Sequence, residues 1–431
     1  MATHQIIQVE TPFGMPAIRV PDFRNGPDFS IADFGAVPGD QLRTTRAIEE
    51  AIGQASARRG GRVLIPPGEW RTGKIHLQSN VNLHLEKDAV LLFSGDPQDY
   101  LPPVPTSWEG LECYNYSPLI YAYQCENIAI SGEGTLKAVM DVWETWFDRP
   151  EEHLQSLKRL WYLAAEGSPL DERQMVDGKA NLRPHFIQFN RCRHILVEGI
   201  SIVNSPFWTL HPYLCEEVVI RKIRVFAHGH NNDGVDPDMC RNLLIEDCVF
   251  DQGDDAIAIK SGRNQEAWRL NTPSKNIVLR NCTIVNGHQL VAIGSELSGG
   301  IENVFIDNCQ VLEGAKLYHL LNIKTNERRG GYVRNIHINN VRAGNIERGI
   351  LGIATDILYQ WRHLVPTLEK RLTAISDIYL SDIRAGEVRF VSKIAGQAEL
   401  PVAAVHMKHV TADRVLEQAH QNENVTGFRE D

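Results

Sequence analysis

The chain has 431 residues, 43% hydrophobic and 23% charged, a balance that excludes a disordered, collagen-like or coiled-coil protein. No stretch approaches the ~18 consecutive apolar residues of a membrane-spanning helix. The count of 44 Lys and Arg against 54 Asp and Glu leaves a net charge of −10, so neither nucleic acid nor an anionic membrane is an expected partner.

Taken in chain order, residues 1–28 read as an N-terminal arm. They begin MATHQIIQVETPFGMP, with no basic segment followed by an apolar one. The expectation is therefore a cytoplasmic protein, or a periplasmic or secreted one if a leader was removed. Residues 44–60 have helical periodicity, with Ala47, Ile48, Ala51, Ile52 and Ala55 on one face, and Gly60 and Gly61 close the segment. Such a helix suits the apolar end of a stacked structure.

The next feature is a repeat. NLLIEDC at 242–248 recurs as NIVLRNC at 276–282 and NVFIDNC at 303–309. Weaker copies start at Asn127, His194, Val218, Asn335 and Asp377. From 194 to 335 the starts advance by 24, 24, 34, 27 and 32 residues. Each copy is a short β-branched strand, a polar bend and a second short strand. A unit of that size cannot bury its own apolar face, so successive units must stack. The fold class that follows is all-β: a single right-handed parallel β-helix over 29–416, one turn per unit. Asn242, Asn276, Asn303 and Asn335 are then a ladder of amides at the bends, and Cys248, Cys282 and Cys309 are stacked core thiols. The eight cysteines form no CxxC pair, which argues for reduced thiols over a metal site or a disulfide framework.

Residues 140–181 interrupt the strand rhythm with Trp143, Trp146, Phe147, Trp161 and Tyr162 among charges. They read as a partly helical insertion, either packing for the solenoid or a wall over a cleft. A shorter break lies near 358–372. Residues 417–431 read as a polar, disordered tail.

Chemistry concentrates in neighbouring turns. The run HGHNNDGVDPD at 228–238 contains His230, Asn231 and Asp233, and QGDD at 252–255 contains Asp254 and Asp255. Asp233 and Asp254 are 21 residues apart, about one turn, so they fall side by side on one face. Carboxylates at strand spacing, ~4.8 Å, repel one another and raise at least one pKa. An acid and a base then coexist, as glycoside hydrolysis by paired carboxylates requires. Other readings of these turns are a Ca²⁺ loop, whose spacing does not match an EF-hand, and a metal held by His228, His230 and Asp233, which no second cluster supports. The next two turns add His288 with Gln289, then Asn322 and Lys324, followed by Arg328 and Arg329.

In these motifs, their order and their spacing, the sequence from about Phe29 to about Asn345 resembles glycoside hydrolase family 28, the polygalacturonases. The family's NTD motif corresponds to Asn231-Asn232-Asp233, GDD to Gly253-Asp254-Asp255, GHG to Gly287-His288-Gln289 and RIK to Asn322-Ile323-Lys324. NSPFWTLHP at 204–212 and GSELSGG at 294–300 are similar to phrases of bacterial, exo-acting members. The resemblance implies an inverting hydrolase of α-linked, galacturonic-acid-containing pectic oligosaccharides that needs no cofactor or metal. It implies that Asp254 is the general acid, that Asp233 and Asp255 hold and activate water, and that His288 supports the acid. Lys324 would bind a uronate carboxylate, with Asn231, His230, Asn322, Gln289 and Arg328 as further substrate contacts. An inverting site needs carboxyl groups ~6.5–9.5 Å apart to admit water, a gap that adjacent turns can provide. Asn322 in place of the family's Arg and Gln289 in place of its Gly point to a narrowed exo site or to another glycan, such as a rhamnogalacturonan fragment. A β-helix lyase and a non-catalytic carbohydrate-binding β-helix are the competing readings.

Overall fold

The structure, a computed structural model, describes residues 3–176, 182–357 and 369–431. It is a right-handed parallel β-helix. Its backbone is a 21-stranded, a six-stranded and a four-stranded sheet, wound by one chain so that equivalent strands of successive turns pair in parallel. Ile128, Ile195, Val218, Leu243, Ile277, Val304, Ile336 and Ile378 stand in register, one per turn, and all are buried. This column is the inward face of the repeat, and truncating any member to Ala costs roughly 2–5 kcal/mol.

The bends follow from side-chain chemistry. Asn242, Asn276, Asn303 and Asn335 all adopt left-handed backbone, with φ of 56°, 57°, 60° and 58°, and Asn tolerates that region better than most residues. Their amides form the expected ladder: Asn276 donates to Asn242 at 2.8 Å, Asn303 to Asn276 at 2.9 Å and Asn335 to Asn303 at 2.7 Å. Cys248, Cys282 and Cys309 are free, buried thiols at one phase of the turn.

The helix Gln41–Ala57 covers the N-terminal end, with Asp40 accepting from the Arg43 N–H as its cap and Ile48, Ala51, Ile52 and Ala55 buried. The N-terminal arm forms an antiparallel hairpin, Thr3–Ile7 with Ile18–Asp22. Its Ile18 and Val20 cover the outward residues Leu196, Val219, Leu244 and Val278. That cover explains why these strands are apolar on both faces rather than strictly alternating.

The C-terminal segment differs from expectation. Residues 417–431 are not a disordered tail. His420–Glu423 pairs with Phe390–Ala395, and Val425–Thr426 and Arg429–Glu430 pair with Val402–Val415. Backbone pairing to the preceding turn does not depend on side-chain polarity, and a terminal turn with a polar outer face is what a solenoid end requires.

The insertion contains the helix Glu151–Glu166 between the 3₁₀ turns Trp143–Trp146 and Leu170–Glu172. Its last residues, 177–181, and most of the 358–372 break, 358–368, lie outside the described residues. Two elements had no periodic signal: the hairpin of Val104–Trp108 with Leu111–Asn115 and the short helix Asn264–Leu270. The hairpin and the insertion helix share a satellite core of Trp108, Leu111, Leu157, Leu160, Trp161 and Trp208. The insertion is thus packed, and it also forms a wall.

Candidate active site

The outer face of the six-stranded sheet carries a groove of about 950 Å³ that runs along the solenoid axis. At its N-terminal end it is bounded by Glu109 and Leu111 of the hairpin and by Arg149, Trp161 and Ala164 of the insertion. All ten residues singled out from the sequence line it: His230, Asn231, Asp233, Asp254, Asp255, His288, Gln289, Asn322, Lys324 and Arg328.

The turns place them. Val235 bridges to Ile257, so Asp233 and Asp255 lie side by side, and the Gly234 N–H donates to the Asp255 carbonyl at 3.0 Å. Gly253 lets the two turns approach, since a Cβ there would lie 2.5 Å from the Gly229 nitrogen. From Asp254 onward a single backbone position repeats along the axis. The His288 N–H donates to Asp254 O at 2.7 Å, and Tyr318 to His288 O at 2.7 Å. Arg348 then donates to Tyr318 O at 3.2 Å, and Arg389 to Arg348 O at 2.8 Å.

His288 Nδ1 lies 2.9 Å from Asp254 Oδ1, and its ring stacks on Tyr318 at 4.7 Å. Burial pushes the Asp254 carboxyl up, but the His288 hydrogen bond and charge, with Lys324 and Lys260, hold it below the usual carboxylate range. Burial likewise opposes charge on His288, and Asp254 and Asp255 outweigh it, so the imidazole is raised. Asp255 is raised by burial and by Asp254, although the Lys324 ammonium donates to its Oδ2 at 2.9 Å. Asp233 is raised well above the usual range by burial and by the charges of Asp236 and Asp254. The carboxylates therefore differ in proton affinity. The pair Asp254–His288 holds its proton on the imidazole, while Asp233 and Asp255 hold theirs more tightly than ordinary aspartates.

The remaining candidates have defined neighbours. His230 Nε2 accepts from Arg149 Nε at 2.8 Å, and burial followed by the Arg149 and Arg183 charges lowers it to about 4, so it is neutral. Asn231 Oδ1 accepts from Arg183 Nη2 at 3.0 Å. Gln289 is buried beneath the groove, and its Oε1 has no hydrogen-bond partner among the described residues. Arg328 lines the groove, and its buried Nη1 has no hydrogen-bond partner among the described residues. Asp254, Asp255 and His288 each offer an atom within 4.8 Å of the others, close enough to hold a cation, and the Lys324 ammonium already contacts that cluster.

Several site residues were missed from the sequence. Lys260 is buried with its Nζ 3.4 Å from Glu296, 3.7 Å from Asp236 and 4.0 Å from Asp233, and 4.6 Å from the Trp208 ring. Glu296 also pairs with Arg263 at 2.6 Å and Arg329 at 3.7 Å. Arg263 and Arg329 are therefore committed to Glu296. Arg269 is likewise engaged, by Glu266 at 2.8 Å. Lys260 directly follows the strand Ile257–Ile259 that comes after GDD, and its alternation with the core residues Ile257 and Ile259, which puts it on the groove face, was the available signal.

Three aspartates, an imidazole and an ammonium on one groove of a parallel β-helix are the groups that a carbohydrate-cleaving hydrolase, a glycosidase, needs. The comparisons agree. The profile of the family described as glycosyl hydrolases family 28 matches residues 166–428. A probable polygalacturonase of Vitis vinifera is 28% identical over 89% of this chain and 73% of its own length. An exo-poly-alpha-D-galacturonosidase of Dickeya chrysanthemi is 25% identical over 65% of this chain and 49% of its own. The crystal structure of a hyperthermoactive exopolygalacturonase from Thermotoga maritima superposes with a TM-score of 0.87 at 34% identity, covering 96% of this chain and 94% of that one. The chain belongs to glycoside hydrolase family 28, the polygalacturonase family.

Proposed function

We propose that this enzyme is an inverting, exo-acting hydrolase of α-linked galacturonic-acid-containing oligosaccharides. The observation that carries the reading is the groove: walled at one end by the hairpin and insertion beside the carboxylates, and continuing at the other over turns that carry Arg348, Arg389 and Lys393. A chain end fits against the wall, and the rest of an anionic oligosaccharide lies along the cations.

In the reaction, the oxygen of a water attacks the anomeric carbon as the glycosidic C–O bond breaks. Asp254 passes a proton to the leaving oxygen, drawn from the single proton it shares with His288. Asp233 and Asp255, once ionised, orient the water and take up its proton. Lys324 and Lys260 limit the negative charge that builds among these carboxylates. Arg328 supplies the donor that the Arg of the family motif would have given, and so offers a partner for a uronate carboxylate despite Asn322.

The test is the product pattern from oligogalacturonides and polygalacturonic acid, read by anion-exchange chromatography. An exo-hydrolase releases saturated monosaccharide while polymer viscosity falls slowly. A spread of intermediate oligomers would make the enzyme endo-acting, and an unsaturated, ultraviolet-absorbing product would make it a lyase.

A further inference from the structure

Asp233 stands at the end of a connection that strand pairing alone does not fix. Residues 228–232 join the strand Arg224–Ala227 to Asp233, where pairing resumes with the Thr209 N–H donating to Asp233 O at 2.9 Å. Side chains tie the connection down. Asn232 Nδ2 donates to Ser205 O at 2.8 Å and to Phe207 O at 3.2 Å. Arg183 holds the two residues before it: Nη1 donates to His230 O at 2.8 Å and Nη2 to Asn231 Oδ1 at 3.0 Å. The same Nη1 donates to Pro206 O at 2.7 Å, so one guanidinium joins both loops.

Arg183 belongs to neither loop. It comes just after the insertion, and its own carbonyl accepts from Trp108 Nε1 of the hairpin at 3.0 Å. Its guanidinium lies between two rings, 5.0 Å from that of Phe207 and 5.2 Å from that of Phe147 in the insertion. Phe147 also presses on the connection itself, since a Cβ at Gly229 would lie 2.4 Å from its ring. Arg183 is fully buried, and burial lowers it to about 9, so it stays charged at neutral pH. Two carbonyls, an amide oxygen and two ring faces hold that charge, and none of them adds a negative charge beside Asp233. Three acceptors on two loops suit the rigid fork of a guanidinium, which an ammonium does not match.

We infer that Arg183 is a positioning residue for the hydrolytic step: it clamps the loop that presents Asp233 and keeps that carboxylate set against Asp255 for the attacking water. The clamp rests on the proposed reaction, in which these two aspartates orient the water. Through Phe147 and Arg183 the insertion then serves the chemistry as well as closing one end of the groove.

The experiment measures kcat and KM on trigalacturonide and on α-galacturonosyl fluoride, with each protein scaled to its folded fraction from an unfolding curve. The proteins are wild type, Arg183→Met, Arg183→Lys and Phe147→Leu. Arg183→Met fills the space between the rings without the fork. It is expected to lower kcat about 10- to 100-fold, the cost of misplacing a reacting group by about 1 Å. KM should change little, because Arg183 does not line the groove. Arg183→Lys should restore part of kcat, and Phe147→Leu should show a smaller loss of the same kind. Fluoride departs without a proton from Asp254, so a defect on the water side persists with that substrate, whereas a defect in the acid shrinks. An unchanged kcat in Arg183→Met, or a loss that disappears with the fluoride, overturns the clamp and leaves the hydrolase reading intact. Where Arg183→Met does not fold, wild-type kcat in both Arg183→Lys and Phe147→Leu overturns it equally. A wild type inactive on both galacturonides overturns the proposed reaction and the clamp with it.

Discussion

His288 Nδ1 and Asp254 Oδ1 are 2.9 Å apart, with the imidazole raised and the carboxyl lowered in proton affinity. Between those two pKa values the pair binds one proton, and the pair rather than either residue titrates. The proton for the leaving oxygen is lost as pH rises through the raised imidazole value. In the proposed reaction Asp255, raised above the ordinary aspartate value, acts ionised, so activity is also expected to fall as pH drops through its raised value. In His288→Gln the carboxyl keeps its burial and loses the imidazolium. The alkaline limb of kcat/KM should then move to lower pH, with a rate loss of about 10²–10⁴. A pH–rate profile of both proteins checks this, and an unmoved alkaline limb contradicts it.

Lys260 is the cation facing Asp233 and Asp236, while Glu296 has Arg263 and Arg329 as well. Removing a buried charge leaves its partners uncompensated and costs about 3–5 kcal/mol. Lys260→Met should lose stability of that order in denaturant unfolding and should make Asp233 harder to ionise. The acid limb of the activity profile would then move to higher pH. Stability equal to wild type would show that these carboxylates are already neutral.

Asp238 gives a pH dependence of stability. Its Oδ1 accepts from the Gly262 N–H at 2.8 Å, its Oδ2 has no hydrogen-bond partner among the described residues, and burial pushes it up to about 7. The folded state keeps a proton here that the unfolded chain releases near ~3.9. Its contribution is therefore fully present below the unfolded value and is lost as pH rises through about 7. Asp238→Asn should flatten the dependence of stability on pH between ~4 and about 7, as measured by unfolding midpoints. A slope the same as in wild type would remove Asp238 as its cause.

The bends test the repeat itself. Asn276 donates to Asn242, accepts from Asn303 and has φ of 57°. Asn276→Ala breaks both bonds in a left-handed bend and should cost roughly 1–3 kcal/mol for the ladder, with ~1–2 kcal/mol more for the backbone. Asn276→Gly should lose only the ladder contribution. Equal losses in the two variants would mean that the bend imposes no strain.

Most of this architecture was legible because a repeat multiplies weak signals. One seven-residue phrase says little, whereas eight copies, five opening on Asn and three closing on Cys, fix turn length, inward face and bends together. The same periodicity placed Asp233 beside the GDD turn and put His288, Asn322 and Lys324 on the turns that follow. What stayed hidden was aperiodic or outside the motifs. The Val104–Trp108 hairpin and the Asn264–Leu270 helix are short and lie outside the repeat, and 417–431 is held by backbone pairing to the preceding turn rather than by a pattern of its own. Lys260 comes just after an apolar strand and takes its meaning from Asp233, Asp236 and Glu296, which only the folded turns bring together.

The measurement that tests the central claim most directly is ¹H NMR of the reaction as it starts, following the anomeric proton of the first monosaccharide released from an α-linked galacturonide. Single displacement by water held at Asp233 and Asp255 predicts that the β anomer appears first and the α anomer grows in only by mutarotation. An α anomer released first would require a covalent intermediate and would contradict the roles assigned to these carboxylates.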